Sequence, residues 1–130
     1  MTAGQEGGMA HTVLTHPGSG DRLIVLVSSE ESAGARFRFE YVAETATPAP
    51  ADHVHADQEE SVEVLSGELR CRVGGEEHRL GPGDSLVIPP GVPHAVWNAH
   101  PDGCRSVGEF RPARETQSLF EAVFVHVTQE

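Results

Sequence analysis

A chain of 130 residues with 20 acidic side chains against 9 basic ones, a formal net charge of −11 and no lysine is a poor partner for nucleic acid or an anionic membrane surface. Without lysine, Schiff-base chemistry is also excluded. The length suits one domain of roughly 100–150 residues, expected over residues 11–130 behind a flexible, glycine-containing leader over residues 1–10.

That leader has neither the basic start nor the apolar stretch of a signal peptide. No apolar run approaches the roughly 20 residues that cross a bilayer. From residue 16 onward, turn signals recur at short intervals: Pro17-Gly18-Ser19-Gly20, Ser32-Ala33-Gly34, Pro48-Ala49-Pro50, Gly74-Gly75, Gly81-Pro82-Gly83 and Pro101-Asp102-Gly103. The segments between them are short and rich in Val, Leu, Ile and Phe, as in an all-β sandwich or barrel. Strands are predicted at Arg22 to Val27, Ala35 to Ala43, Ser61 to Ser66, Glu68 to Val73, Glu76 to Leu80, Ser85 to Ile88, His94 to Trp97 and Arg105 to Phe110. Phe37, Phe39 and Tyr41 alternate with Arg36, Arg38 and Glu40, and Leu69, Cys71 and Val73 alternate with Arg70 and Arg72. This is the period-2 pattern of a half-buried strand. Gly74-Gly75 supplies the positive φ of a tight hairpin between two of these strands. After Pro112 the pattern admits a helix with a Leu119, Phe120 and Val123 stripe, or a strand ending in the β-branched run Val123 to Val127. Cys71 and Cys104 make no disulfide framework, so a reduced cytoplasmic setting is expected.

Chemistry concentrates in four residues. His53 and His55 stand two apart, so on a strand both imidazoles share one face. Glu60 follows after a turn at Ala56-Asp57-Gln58, on the same strand face as Val62 and Val64, where a returning strand sets a carboxylate opposite the imidazoles. His94 comes after the rigid Pro89-Pro90-Gly91-Val92-Pro93 turn. Three imidazoles and one carboxylate suit one divalent transition metal: Fe, Mn, Ni, Co, Cu or Zn. On an octahedral ion these four ligands leave two positions open.

At these residues the sequence resembles the cupin superfamily. Its first motif, G-x5-H-x-H-x3,4-E-x6-G, is met by His53, His55, Glu60 and Gly67, with Thr47 at the opening position. Its second, G-x5-P-x-G-x2-H-x3-N, is met by Gly83, Pro89, Gly91, His94 and Asn98. The resemblance implies a double-stranded β-helix, a jelly-roll-like barrel of two antiparallel sheets with the metal in its open mouth, followed by a short C-terminal helical or extended segment. Homodimers are common in such families. Gly67, Gly83, Pro89, Gly91 and Asn98 read as residues that shape turns, and Glu59 as a solvated neighbour of Glu60. Asp52 and Asp57 belong to an acidic loop, where a carboxylate could also orient a ligating histidine. Phe37, Phe39 and Tyr41 are core or pocket lining. Trp97 packs on the strand face opposite His94, and Cys71 points inward. Cys104, His11, His16, His78, His100 and His126 carry no ligand spacing.

Two functions are compatible with this reading. The first is a metal-dependent oxygenase, cyclase or isomerase acting on a small, rather apolar organic molecule, with Glu60 a candidate base. The second is a non-catalytic module that binds or senses a small molecule. Arg70 and Arg72 lie opposite Cys71 and leave the interior without a clear anion site.

Overall fold

The computed structural model describes residues 11–129, with side chains described through Val125, so the expected leader over residues 1–10 lies outside the described residues. Ten strands and one helix follow in chain order: β1 Thr12–Thr15, β2 Arg22–Val27, β3 Phe37–Ala43, β4 Glu59–Ser66, β5 Leu69–Val73, β6 Glu76–Leu80, β7 Ser85–Ile88, β8 His94–Asn98, β9 Cys104–Arg111, α1 Thr116–Val123 and β10 Val125–Gln129. They form an antiparallel sheet in the order β10-β1-β2-β3-β9-β4-β7 and a three-stranded one in the order β6-β5-β8. The turn spacing led to an all-β sandwich or barrel and the family resemblance to a jelly-roll barrel with a short C-terminal helical or extended segment; the structure is that barrel, with a short C-terminal helix. That helix is too short to cross a membrane.

The alternation of the sequence sets which side chains face inward. On the larger sheet the inner face runs in rungs of directly opposed residues: Glu60, Phe110 and Phe37; then Val62, Gly108 and Phe39; then Val64, Ser106 and Tyr41. Across the barrel, Leu69, Cys71 and Val73 oppose Asn98, Val96 and His94. Two buried clusters result, one around Leu14, Leu23, Phe37, Phe39, Phe110 and Phe124, the other around Val62, Val64, Leu69, Cys71, Leu80 and Cys104. Tyr41 packs against both. Outward, Arg70 pairs with Glu68, and Arg72 with Asp52. Gly74 and Gly75 both have positive φ, as a two-residue hairpin with the right-handed twist of its strands requires.

Three features of the fold go beyond the sequence reading. Thr12–Thr15 forms strand β1, because the sheet supplies ladder partners in Leu23 and Ile24 that a four-residue segment cannot advertise alone. The C-terminal segment is both helix and strand, and its inward stripe is Phe120 with Phe124, one helical turn apart. Leu119 and Val123 are 63% and 57% exposed on the far side of the helix. Cys104, which carries no signal in the sequence, is 4% exposed and part of the second core cluster.

Candidate metal centre

Glu60 enters the barrel on β4 and is 8% exposed, while its neighbour Glu59 faces solvent. His94 opens β8 and is 1% exposed. The two histidines of the H-x-H pair are not on a regular strand. His53 forms an isolated antiparallel bridge with His94, each backbone N–H donating to the other's carbonyl at 2.8 and 2.9 Å. The His55 carbonyl accepts from Gly91 N–H at 2.8 Å, so the Pro-Gly turn ahead of β8 holds the second histidine. A bridge and one loop contact thus replace the strand expected there, and the shared facing of the two imidazoles survives.

The ring centroids of His53 and His94 lie 4.4 Å apart, those of His53 and His55 5.0 Å, and those of His55 and His94 5.1 Å. Taking one donor atom from each of His53, His55, Glu60 and His94, all four lie within 4.8 Å of one another. Bonds of about 2.0–2.2 Å from an ion put opposed donors at most about 4.4 Å apart. Rotations that move a donor by a few tenths of an ångström close this difference.

Two hydrogen bonds already set the His94 ring for such an ion. His94 Nδ1 donates to the Val92 carbonyl at 2.9 Å, which turns Nε2 toward the cluster. There Nε2 donates to Glu60 Oε1 at 3.0 Å. Because both ring nitrogens face oxygen acceptors, the charged form is favoured, and His94 has a raised pKa. Its bond to Glu60 is the main cause, opposed by burial and helped by Val92. His53 and His55 have lowered pKa values, each chiefly from desolvation, with the neighbouring imidazoles adding to it and Glu60 opposing. Neutral imidazoles are the form that ligates. His55 Nε2 is buried without a hydrogen-bond partner and stands 3.7 Å from Glu60 Oε1. An orphaned buried nitrogen costs about 1–3 kcal/mol, and an ion at the centre of the cluster would give it a partner. The residues therefore fit a divalent metal.

Beside the cluster lies a cavity of about 490 Å³, within the usual range for small-molecule sites. Phe39, Tyr41, Val62, Leu69, Phe110 and Phe120 supply much of its apolar wall, and His53 and Glu60 contribute to its lining. Gly108 makes this wall possible, because a Cβ there would come 2.6 Å from the Phe39 ring. Phe37, by contrast, is fully buried core. Trp97 keeps to the ladder face opposite His94, with the Arg72 guanidinium 5.5 Å from its ring centroid, yet it also borders the cavity with Pro48 and Pro50.

Asp52 does not hold a histidine; it accepts from Arg72 at 2.7 Å and pins the 50–53 segment. Asp57 pairs with Arg114. Asn98 braces the turn, donating to Thr45 O and accepting from His100 N–H. His16 Nδ1 likewise caps the turn at Gly18 and Ser19. Sequence reasoning does not single out Asp21, Ser106, Phe110 and Phe120 as lining residues, and the fold brings them to the cavity wall. The one signal for Phe110 and Ser106 is their inward register relative to Gly108.

The cupin domain model matches residues 39–107, just over half of the chain. No curated protein matches it. Among solved structures, KdgF from a Halomonas species is 19% identical over 80% of this chain and 89% of that one, with a TM-score of 0.66. An RmlC-like cupin from Shewanella frigidimarina is 23% identical over 90% and 94%, also at 0.66. TT1209 from Thermus thermophilus reaches 29% identity over 62% and 75%, with a TM-score of 0.56. At the identities of the first two, the likeness is one of fold.

Proposed function

The chain belongs to the cupin superfamily, and from that premise we propose that it is a metal-dependent enzyme acting on a small, rather apolar organic molecule. The observation that carries this reading is His55 Nε2, buried and unpartnered beside Glu60 and His94. A protein with no use for an ion would gain stability by giving that nitrogen a hydrogen bond or replacing it with an apolar group.

His53, His55, Glu60 and His94 would hold the ion. It would supply Lewis-acid polarisation of a substrate oxygen or, if a redox metal, dioxygen activation. The remaining tasks fall to the chain. Val92 holds His94 Nδ1, so that Nε2 would be its ligating atom, and the His53–His94 bridge would fix two ligands to each other. The aromatic wall excludes water around the substrate body. The class of reaction is oxygenation, cyclisation or isomerisation, and Glu60 is the candidate base.

Elemental analysis of protein purified without an affinity tag or chelator tests the reading. Near-stoichiometric iron or copper would direct the search to dioxygen uptake, and zinc to cyclisation or isomerisation. Protein that stays metal-free after incubation with each divalent ion would sink the enzyme reading and leave a small-molecule binding module.

A further inference from the structure

The cavity has a second polar group of residues, away from the metal ligands. Ser106 and Tyr41 are directly opposed on β9 and β3, which puts their Cβ atoms about 4.5–5.5 Å apart on the same inner face. Both line the cavity, as does Asp21. The rung of Ser106 lies four residues along β9 from Phe110, the partner of Glu60, or about 14 Å at 3.4 Å per residue.

Asp21 is 8% exposed; its Oδ2 accepts from the Tyr41 hydroxyl at 2.8 Å and its Oδ1 from Glu44 N–H at 3.0 Å. Burial and the Asp21 carboxylate raise the Tyr41 pKa, so the phenol keeps its proton and donates it to Asp21. The phenol oxygen retains acceptor capacity. Ser106 is also 8% exposed, and no hydrogen bond joins its hydroxyl to another described residue. Asp21 and Tyr41 brace a turn as well as line the cavity. Ser106 braces nothing, and packing alone would be served by alanine.

We propose that Asp21, Tyr41 and Ser106 form a recognition site for a hydroxyl group, and that the ligand is a neutral alcohol or phenol with an apolar body long enough to reach from this site toward the Glu60 rung. The inference rests on the preceding reading in one respect, that the cavity holds a small molecule. A bound hydroxyl donates to the Asp21 carboxylate or the Tyr41 oxygen and accepts from Ser106, so both of its hydrogen-bonding roles are met. An anionic group is rejected there. The cavity lining contains no arginine, and the chain has no lysine, while Asp21 and Glu60 supply two carboxylates.

Equilibrium dialysis with three probes of one shape tests this: 2-naphthol, 2-methylnaphthalene and 2-naphthoate, each against chelator-stripped and zinc-loaded protein. In stripped protein 2-naphthol is expected to bind about tenfold tighter than 2-methylnaphthalene, the scale of one well-made hydrogen bond in a dry site, with 2-naphthoate weakest. Ser106→Ala, which gives up no hydrogen bond within the described residues, should reduce that preference to about twofold or less without changing the affinity for 2-methylnaphthalene. A preference that survives Ser106→Ala, or is absent from stripped protein, overturns the hydroxyl site. A preference seen only with zinc overturns it too, since the hydroxyl is then read at the metal, but leaves the proposed function standing. If no probe binds either form, the occupied cavity fails along with the hydroxyl site.

Discussion

Two buried glutamates sit on neighbouring strands of the larger sheet and face opposite ways. Glu109 on β9 is 4% exposed on the outer face, where Arg38 donates at 3.0 Å, Arg111 donates as well, and Arg36 stands 3.6 Å away. Glu60 on β4, opposite Phe110, is 8% exposed on the inner face among three imidazoles. The arginine cluster is complete, since a guanidinium carries its own charge and its donors meet the carboxylate directly. The imidazole cluster is not complete, because one nitrogen is left without a partner. The saturated carboxylate serves the fold, and the unsaturated set of donors is the candidate metal site.

The largest effect should come from the inner cluster. His94→Ala removes one of the four candidate donors and the hydrogen-bond partner of Glu60. Metal content should fall to background and turnover by more than the roughly 10–100-fold that loss of a mere supporting hydrogen bond costs. Far-UV circular dichroism should still report a folded barrel. A variant that keeps both metal and activity would erase the contrast between the two glutamates.

Next comes the link between the inner cluster and the helix. The Gln58 side-chain amide donates to Pro112 O, Ala113 O and Thr116 Oγ1 at 2.8–2.9 Å, tying the loop before Glu60 to the start of α1. Gln58→Ala takes this donor from Pro112 O and Thr116 Oγ1, while Ala113 O keeps Thr116 N–H at 3.3 Å, and should cost about 1–3 kcal/mol in urea unfolding. Metal content should be largely kept, because the amide touches no ligand. A loss of metal equal to that of His94→Ala would make Gln58 part of the site.

Glu109→Gln should cost less, about 1–2 kcal/mol, because its arginines are partly exposed and water takes over their solvation. Metal content should not change. Burial acts to raise the Glu109 pKa, but the hydrogen bonds and charges of Arg111 and Arg38 prevail and hold it below its ordinary value. Its contribution to stability is therefore full above the unfolded value and is lost as pH falls through the folded one. Urea unfolding from neutral pH down through the carboxylate range should show wild type losing more stability than Glu109→Gln; parallel curves would dissolve the assignment. The smallest effect concerns Cys71, whose thiol burial pushes up to about 12. It should resist alkylation in the native protein and react only on unfolding.

Much of the site is legible in the sequence, and for a local reason. His53, His55, Glu60, Gly67, Gly83, Gly91 and His94 are read by spacing, and spacing is set by turns and strand alternation that short segments encode. Gly67 illustrates this: its φ is +84°, and a Cβ there would run into the Gly103 carbonyl oxygen, so no other residue fits the turn between β4 and β5. Spacing puts the H-x-H pair on the right side of the barrel through the wrong element, because its extended form comes from β8 and Gly91, far away in sequence.

Period-2 alternation therefore determined the all-β class and the inward faces of β3 and β5, since each depends on neighbours a few residues apart, while the convergence of His53, His55, Glu60 and His94 also needed contacts distant in sequence. Tertiary structure alone decided that Phe120 and Phe124, rather than Leu119 and Val123, turn inward, that Asp52 serves Arg72, and that Asp21 meets Tyr41. These pairings join segments with no common periodicity, and only closure of the barrel brings them within hydrogen-bonding or packing distance.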